Sequence, residues 1–326
     1  MRERWARFTP LIPLDRAQAQ ALIAPALPNA HVARVEPLSG GLANTNLRCV
    51  LDDGSSVRLR LYQRDQKQAQ KEAALARLVK DRVPAPQYLY LGDANNVAGV
   101  AYAVIEWIEG ARLETLAEAL DDSSLAQAGR AVGGTLAKIH SFTFMRPGFF
   151  NADLEIMPYG GDFSLVPFLT RCLIDGKGGE LIGEDLAYRV VDHAARVQQS
   201  LSKWDEPPCL AHFDFNGSNI LMRQENGVWA VAGVIDWEFA ASATPAGDFG
   251  NLLRAPLGSR QGFADAVARG WRRSPKRSTI PRSHKPGSRS AARSRRSIPS
   301  RLRGRDSSTP ISRSCRMAAI SASSRS

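Results

Sequence analysis

The chain has 326 residues, 44% hydrophobic and 23% charged, the composition of a globular protein with room for one large domain or two lobes. Its net charge of +11 suggests a polyanionic partner until it is divided along the chain: residues 272–326 hold 16 basic residues against one acid, and the remainder is −4. The longest apolar runs fall short of the ~20 residues of a membrane-spanning helix, the N-terminus has no apolar signal core, and four scattered cysteines lack metal-ligand spacing, so a cytoplasmic protein is expected.

Taken in order, Leu14–Leu27 predicts a helix, with Leu14, Leu22, Ile23 and Leu27 roughly on one face. Val32–Val50 and Val57–Leu61 read as strands joined at Asp52-Asp53-Gly54. Lys67–Lys80 reads as a helix stopped by Pro84 and Pro86, and Gln87–Gly92 and Gly99–Trp107 as two further strands. From Ala111 to Ser141 the apolar period is helical, as it is over Gly183–Leu201. A second hairpin is expected about Asn226-Gly227, and a last helical pattern runs from Asp248 to about Trp271. Beyond it, Arg, Ser and Pro dominate without an apolar period, and such a segment cannot bury enough surface to offset its chain entropy, so disorder is expected over 272–326.

The stretch LAHFDFNGSNILMRQ, Leu210–Gln224, places five polar side chains between apolar ends. Transfer of a phosphoryl group needs a carboxylate near the acceptor hydroxyl, a divalent metal on the phosphates and cations holding the nucleotide. Asp214 can supply the first, and Asn219, five residues on, offers an amide oxygen suited to Mg²⁺. Asp236, following the apolar run Val234-Ile235, offers a second hard ligand that the hairpin returns beside the loop. A polar turn with an Asx motif is the plainer alternative.

His212-Phe213-Asp214, Asn219 and Ile235-Asp236-Trp237-Glu238 together resemble the signature of the aminoglycoside phosphotransferase and choline kinase-like family. The resemblance spans about residues 30–271 and implies an α+β, bilobal protein kinase-like fold: a small β-rich N-lobe over 1–108, which binds nucleotide, and a larger, mainly helical C-lobe over 109–271. It further implies Asp214 as catalytic base, Asn219 and Asp236 on Mg²⁺, and His212 supporting the loop. Ser39-Gly40-Gly41-Leu42-Ala43-Asn44-Thr45-Asn46 resembles the family's phosphate loop, where glycines let backbone N–H groups approach phosphate oxygens. Of Arg58 and Arg60, which share a strand face, Arg60 is the expected cation on the α- and β-phosphates, with Glu72 as its partner. Glu106 and Ile108 are expected to meet adenine through their backbone. Asp248 matches a family acid that braces the catalytic loop; alone it reads more often as a helix N-cap, and the two roles are compatible. His140 and His193, inside helical patterns, read as structural.

Two features depart from the family. Phe213 stands where glycine is common, and the tail replaces helices that normally continue the C-lobe. A nucleic-acid-binding arm, a solvated tail, or a reading-frame shift near Trp271 would each give its composition. The expected activity is ATP-dependent, Mg²⁺-requiring transfer to a hydroxyl of a small molecule, aminoglycoside-like or choline-like. An inactive nucleotide-binding relative, a protein kinase, and a nucleic-acid binder acting through the tail are the alternatives.

Overall fold

The computed structural model describes residues 7, 9–38, 43–158, 165–201, 207–272 and 278–279. Most of the expected disordered tail, and Ser39, Gly40, Gly41 and Leu42 of the glycine-rich loop, lie outside the described residues. The chain divides into two compact units, residues 1–158 with 207–280, and residues 159–206 with 281–326.

The first unit begins with α1 (Arg16–Ile23), whose N-terminus is closed by a capping box: the Asp15 carboxylate accepts from Gln18 N, and the Gln18 side chain accepts from Asp15 N. A five-stranded antiparallel sheet follows, built from β1 (Val32–Pro37), β2 (Thr45–Leu51), β3 (Ser56–Leu61), β4 (Tyr88–Gly92) and β5 (Tyr102–Glu106) in the order β1-β2-β3-β5-β4. The expected strand Val32–Val50 is two strands, the first ending at Pro37 and the second beginning at Thr45. On β2, Leu47, Cys49 and Leu51 alternate inward and pack with Leu22 and Ile23 of α1 in one apolar core. Helix α2 (Gln68–Val79) crosses between β3 and β4 and buries Ala69, Glu72, Ala73, Leu75 and Val79.

A second core is centred on α4 (Asp122–His140), which follows β6 (Ala111–Arg112) and α3 (Leu113–Ala119). The helical pattern expected over Ala111–Ser141 is carried by these two helices, the second N-capped by Asp121, and only Ala111–Arg112 departs from it as a short strand. Strands β7 (Phe142–Thr143), β8 (Gly148–Phe150) and β9 (Ile156–Met157) carry the unit to residue 158.

The second unit contains α5 (Leu165–Leu173), α6 (Gly178–Ile182) and α7 (Glu184–Leu201), gathered around Cys172, Leu173 and Ala187. Only α7 was expected; α5 and α6 are short and lie among glycines.

The chain re-enters the first unit at β10 (Cys209–Ala211). β11 (Ile220–Glu225) and β12 (Val228–Val234) form the expected hairpin, with Asn226 and Gly227 both at positive φ (52° and 78°), as a two-residue type I′ turn requires. β6 adds to its free edge. After β13 (Ala241–Ala243) come α8 (Ala246–Leu252) and α9 (Phe263–Arg272). The helix expected from Asp248 to Trp271 is broken over residues 253–262 because Pro256 cannot donate to a helical ladder and Gly258 and Gly262 weaken what remains. β14 (Ser278–Thr279) pairs in parallel with β7, which joins β10, β13, β8 and β9 in a second sheet.

Candidate active site

Three short segments of the first unit supply the polar cluster: the loop after β10, the turn after β12, and one face of β3 with α2. Their meeting is fixed by hairpin register. Ile220 pairs with Val234, and Ile235 N–H donates to the Asn219 carbonyl at 3.0 Å, so Asn219 and Asp236 stand at adjacent strand ends.

Asp214 is gripped by its own loop. Asn219 Nδ2 donates to Asp214 Oδ2 at 2.8 Å and to its backbone carbonyl at 2.9 Å, and Asn216 Nδ2 donates to Asp214 Oδ1 at 2.7 Å. Asn216 in turn accepts Ser218 N–H and Oγ–H, an Asx turn that tightens the loop. Burial, and then the charge of Asp236, push the Asp214 carboxyl up to about 6, against the pull of these amides and of the Arg254 guanidinium. Such a carboxylate takes a proton more readily than an ordinary aspartate.

His212 is fully buried. Its Nδ1 accepts Asp214 N–H at 3.3 Å and its Nε2 lies 3.2 Å from the Ile235 carbonyl, which a neutral ring protonated at Nε2 satisfies on both sides. Burial holds its pKa below the usual imidazole value. Trp237, 4.7 Å away centroid to centroid, and Phe215 wall the ring in, so it buttresses rather than reacts.

Asp248, with no exposed surface, is not an N-cap; Pro245 holds that position. Its Oδ2 accepts His212 N–H at 2.9 Å and its Oδ1 accepts Phe213 N–H at 2.7 Å. Phe213 sits at φ 59°, in the left-handed region, with Asn251 Nδ2 donating to its carbonyl at 2.8 Å. The bonds on both sides of this peptide aim Asp214.

On the sheet side the two β3 arginines separate. Arg58 donates twice to Asn46 Oδ1, at 3.0 and 2.7 Å. Arg60, 2% exposed, reaches three acids: Asp236 Oδ1 at 2.8 Å, Glu238 Oε2 at 3.2 Å and Glu72 Oε1 at 3.5 Å. Burial opposes ionisation of Asp236, but Arg60 and Arg58 outweigh it and hold the carboxyl below the ordinary range. Glu238, partly buried and beside Asp236, rises to about 7. Glu72 receives Tyr88 Oη–H at 2.6 Å and Tyr62 Oη–H at 3.3 Å. The Glu238 backbone carbonyl accepts from Gln68 Nε2 at 2.7 Å and Lys71 Nζ at 2.6 Å, tying α2 to the turn after β12.

The remaining expected residues fall into two groups. Glu106 and Ile108 line a cavity of about 430 Å³ together with Ala85, Trp107, Arg223 and Ala232. Asn44 and Thr45 are buried with their side chains engaged inside the lobe: Asn44 Oδ1 accepts Gln63 N–H, while Thr45 Oγ1 accepts Ile12 N–H and donates to Gln63 Oε1. They anchor the end of the glycine-rich loop.

Several participants were not singled out from sequence. Glu238 stood in the quoted motif without a role. Tyr62, Tyr88 and Arg254 carry no local signal, since their partners stand on other elements, Glu72 on α2 and Asp214 on the loop after β10. His140, read as structural, places Nε2 2.9 Å from Asp248 Oδ2.

For a divalent cation the donor set is suitable. Asn219 Oδ1 and Asp236 Oδ2 take no hydrogen bond among the described residues, and carboxylate oxygens of Glu72, Asp236 and Glu238 come within 4.8 Å of one another. All are hard oxygen ligands, and Asn219 and Asp236 stand at adjacent strand ends.

A sequence model of the phosphotransferase enzyme family matches residues 34–282. No curated protein matches the chain. Among solved structures, a thermostable variant of aminoglycoside phosphotransferase APH(4)-Ia, in ternary complex with ADP and hygromycin B, aligns over 78% of this chain and 82% of its own at 16% identity, with a TM-score of 0.56. The GDP and kanamycin complex of APH(2")-IIia aligns over 78% and 82% at 18% identity, TM-score 0.59. The streptomycin and ATP complex of APH(2")-IIa aligns over 80% and 83% at 16% identity, TM-score 0.52. Among the described residues no helix is long and apolar enough to cross a membrane.

Proposed function

The chain belongs to the phosphotransferase enzyme family, and from that membership we propose that it moves the γ-phosphoryl group of ATP to a hydroxyl of a small molecule, with Asp214 as the base. The observation that carries this reading is the convergence of Asp214, Asn219 and Asp236 on adjacent strand ends, with Arg60 reaching the same point from β3.

The acceptor hydroxyl binds to Asp214, whose two oxygens are pre-aimed by Asn216 and Asn219. As the hydroxyl oxygen bonds to the γ-phosphorus and the bond to the β-bridging oxygen breaks, the acceptor proton passes to Asp214 and ADP leaves. His212 and Asp248 fix the loop. Arg60 exchanges its bond to Asp236 for the α- and β-phosphates while Glu72, held by two tyrosines, keeps it extended. Ser39, Gly40 and Gly41 are assigned to the phosphates from the resemblance of their segment to the family's phosphate loop, and Asn44 and Thr45 follow it with their side chains held by Gln63 and Ile12. Glu106 and Ile108 present backbone to the nucleobase in the 430 Å³ cavity. Mg²⁺ would be held by Asn219 and Asp236 and, when bound, neutralises phosphate charge.

An aminoglycoside-like or choline-like acceptor is supported by the net −8 of residues 109–271 and by the ligands named for the structural neighbours. ATP consumption with Mg²⁺ across a panel of hydroxylated amines tests the reading. Acceptor-dependent ADP release that disappears in Asp214→Ala is expected; release that survives the substitution refutes the assigned base.

A further inference from the structure

Helix α9 lies unusually close to α4. A Cβ at Gly133 would collide with the Val267 carbonyl, and one at Gly270 with the Arg130 carbonyl, so both glycines are needed for the crossing. The approach brings Trp271, near the end of α9, onto His140, at the end of α4. The Trp271 indole N–H donates to His140 Nδ1 at 3.0 Å, with the rings nearly perpendicular (74°) and Phe249 edge-on to both.

An indole nitrogen can only donate, so His140 Nδ1 must accept and the ring proton resides on Nε2. That proton faces Asp248 Oδ2, 2.9 Å away. Asp248 then accepts the N–H groups of His212 and Phe213, the residues immediately before Asp214. An unbroken chain of donors runs from α9 to the peptide that precedes Asp214. In the opposite tautomer His140 Nε2 would turn a lone pair toward the buried carboxylate.

We propose that Trp271 and His140 are positioning residues for phosphoryl transfer: Trp271 selects the His140 tautomer, and His140 holds Asp248 with both oxygens on the catalytic-loop amides. The inference rests on Asp214 being the base. It assigns a task in the reaction to a side chain that touches neither nucleotide nor acceptor. Small displacements of a reacting group cost catalysis steeply, about a hundredfold for 1 Å.

The test uses the full chain labelled with ¹⁵N at histidine. Trp271→Phe keeps an aromatic ring and removes the donor. The expected result is loss of the single Nε2–H tautomer signal of His140, faster hydrogen exchange at the Phe213 amide, and a kcat at least tenfold lower with the nucleotide KM within twofold. His140→Gln, which can accept from Trp271 and donate to Asp248, should hold kcat within about threefold, and His140→Phe should not. An unchanged His140 tautomer and unchanged Phe213 exchange in Trp271→Phe overturn the proposal, as does equal kcat loss in His140→Gln and His140→Phe. The tautomer and exchange readouts need no turnover, so they decide this inference even if no acceptor is phosphorylated, an outcome that would count against the proposed function alone.

Discussion

Arg60 Nη1 lies 2.8 Å from Asp236 Oδ1, joining the cation assigned to the nucleotide phosphates to the carboxylate assigned to the metal. Arg60 also faces Glu72 and Glu238, so one buried guanidinium reaches three acids, with Arg64 adding a second cation at Glu238. Removing one member of a buried ion cluster strands the others, at about 3–5 kcal/mol. Arg60→Met is expected to lose that much in denaturant unfolding, and adding Glu72→Met should recover part of it, because the fully buried carboxylate is then gone too.

The pH profile should follow Asp214. A base must be ionised, so kcat/KM is expected to fall below about pH 6 as Asp214 protonates, with bound Mg²⁺ moving that limb lower. The Arg254 guanidinium lowers the Asp214 pKa, so Arg254→Ala should shift the limb to higher pH, measured as a pH–rate profile at saturating Mg²⁺. The sign for stability is the reverse. A carboxyl whose folded pKa lies above its unfolded value contributes most at low pH, and its contribution is lost as pH rises through about 6.

Asn219 has two tasks, its amide nitrogen on Asp214 and its amide oxygen free for a cation. Asn219→Ala is expected to raise the Mg²⁺ concentration for half-maximal activity at least tenfold, by analogy with lost metal-site support, and to lower kcat at saturating metal. A change in kcat alone, without a change in metal dependence, would place Asn219 with the base only.

Phe213 carries left-handed backbone, which costs a residue with a Cβ about 1–2 kcal/mol. Its ring also packs on Gly247, where a Cβ would lie 2.7 Å from Phe213 Cε1. Phe213→Ala and Phe213→Gly both delete the ring and differ chiefly in the φ penalty. Phe213→Gly is therefore expected to be the more stable of the two by about 1 kcal/mol, read from thermal unfolding.

Much of the architecture was legible because it is written in local patterns. Asn226-Gly227 fixed the hairpin, and the hairpin fixed the neighbourhood of Asn219 and Asp236. What escaped was non-local. Nothing in the helical pattern around Glu72 announces that Tyr62, just past β3, and Tyr88, on β4, donate to it, and His140 looked like any helical histidine until α8 and α9 supplied its neighbours. The run Asp248–Trp271 failed for another reason: its apolar spacing continues across Pro256, so periodicity alone bridged a segment that the backbone cannot. Trp271 was legible only as the point where composition changes.

The tie between α2 and the turn after β12 is made at the main-chain carbonyl of Glu238, which every amino acid possesses. Replacement of residue 238 can therefore change the charge presented to Arg60 while leaving that fastening in place. Substitution at Gln68 or Lys71 cannot. Across variants of this chain, tolerance at 238 and intolerance at 68 and 71 would mark a joint whose conservation is hidden from the position at its centre.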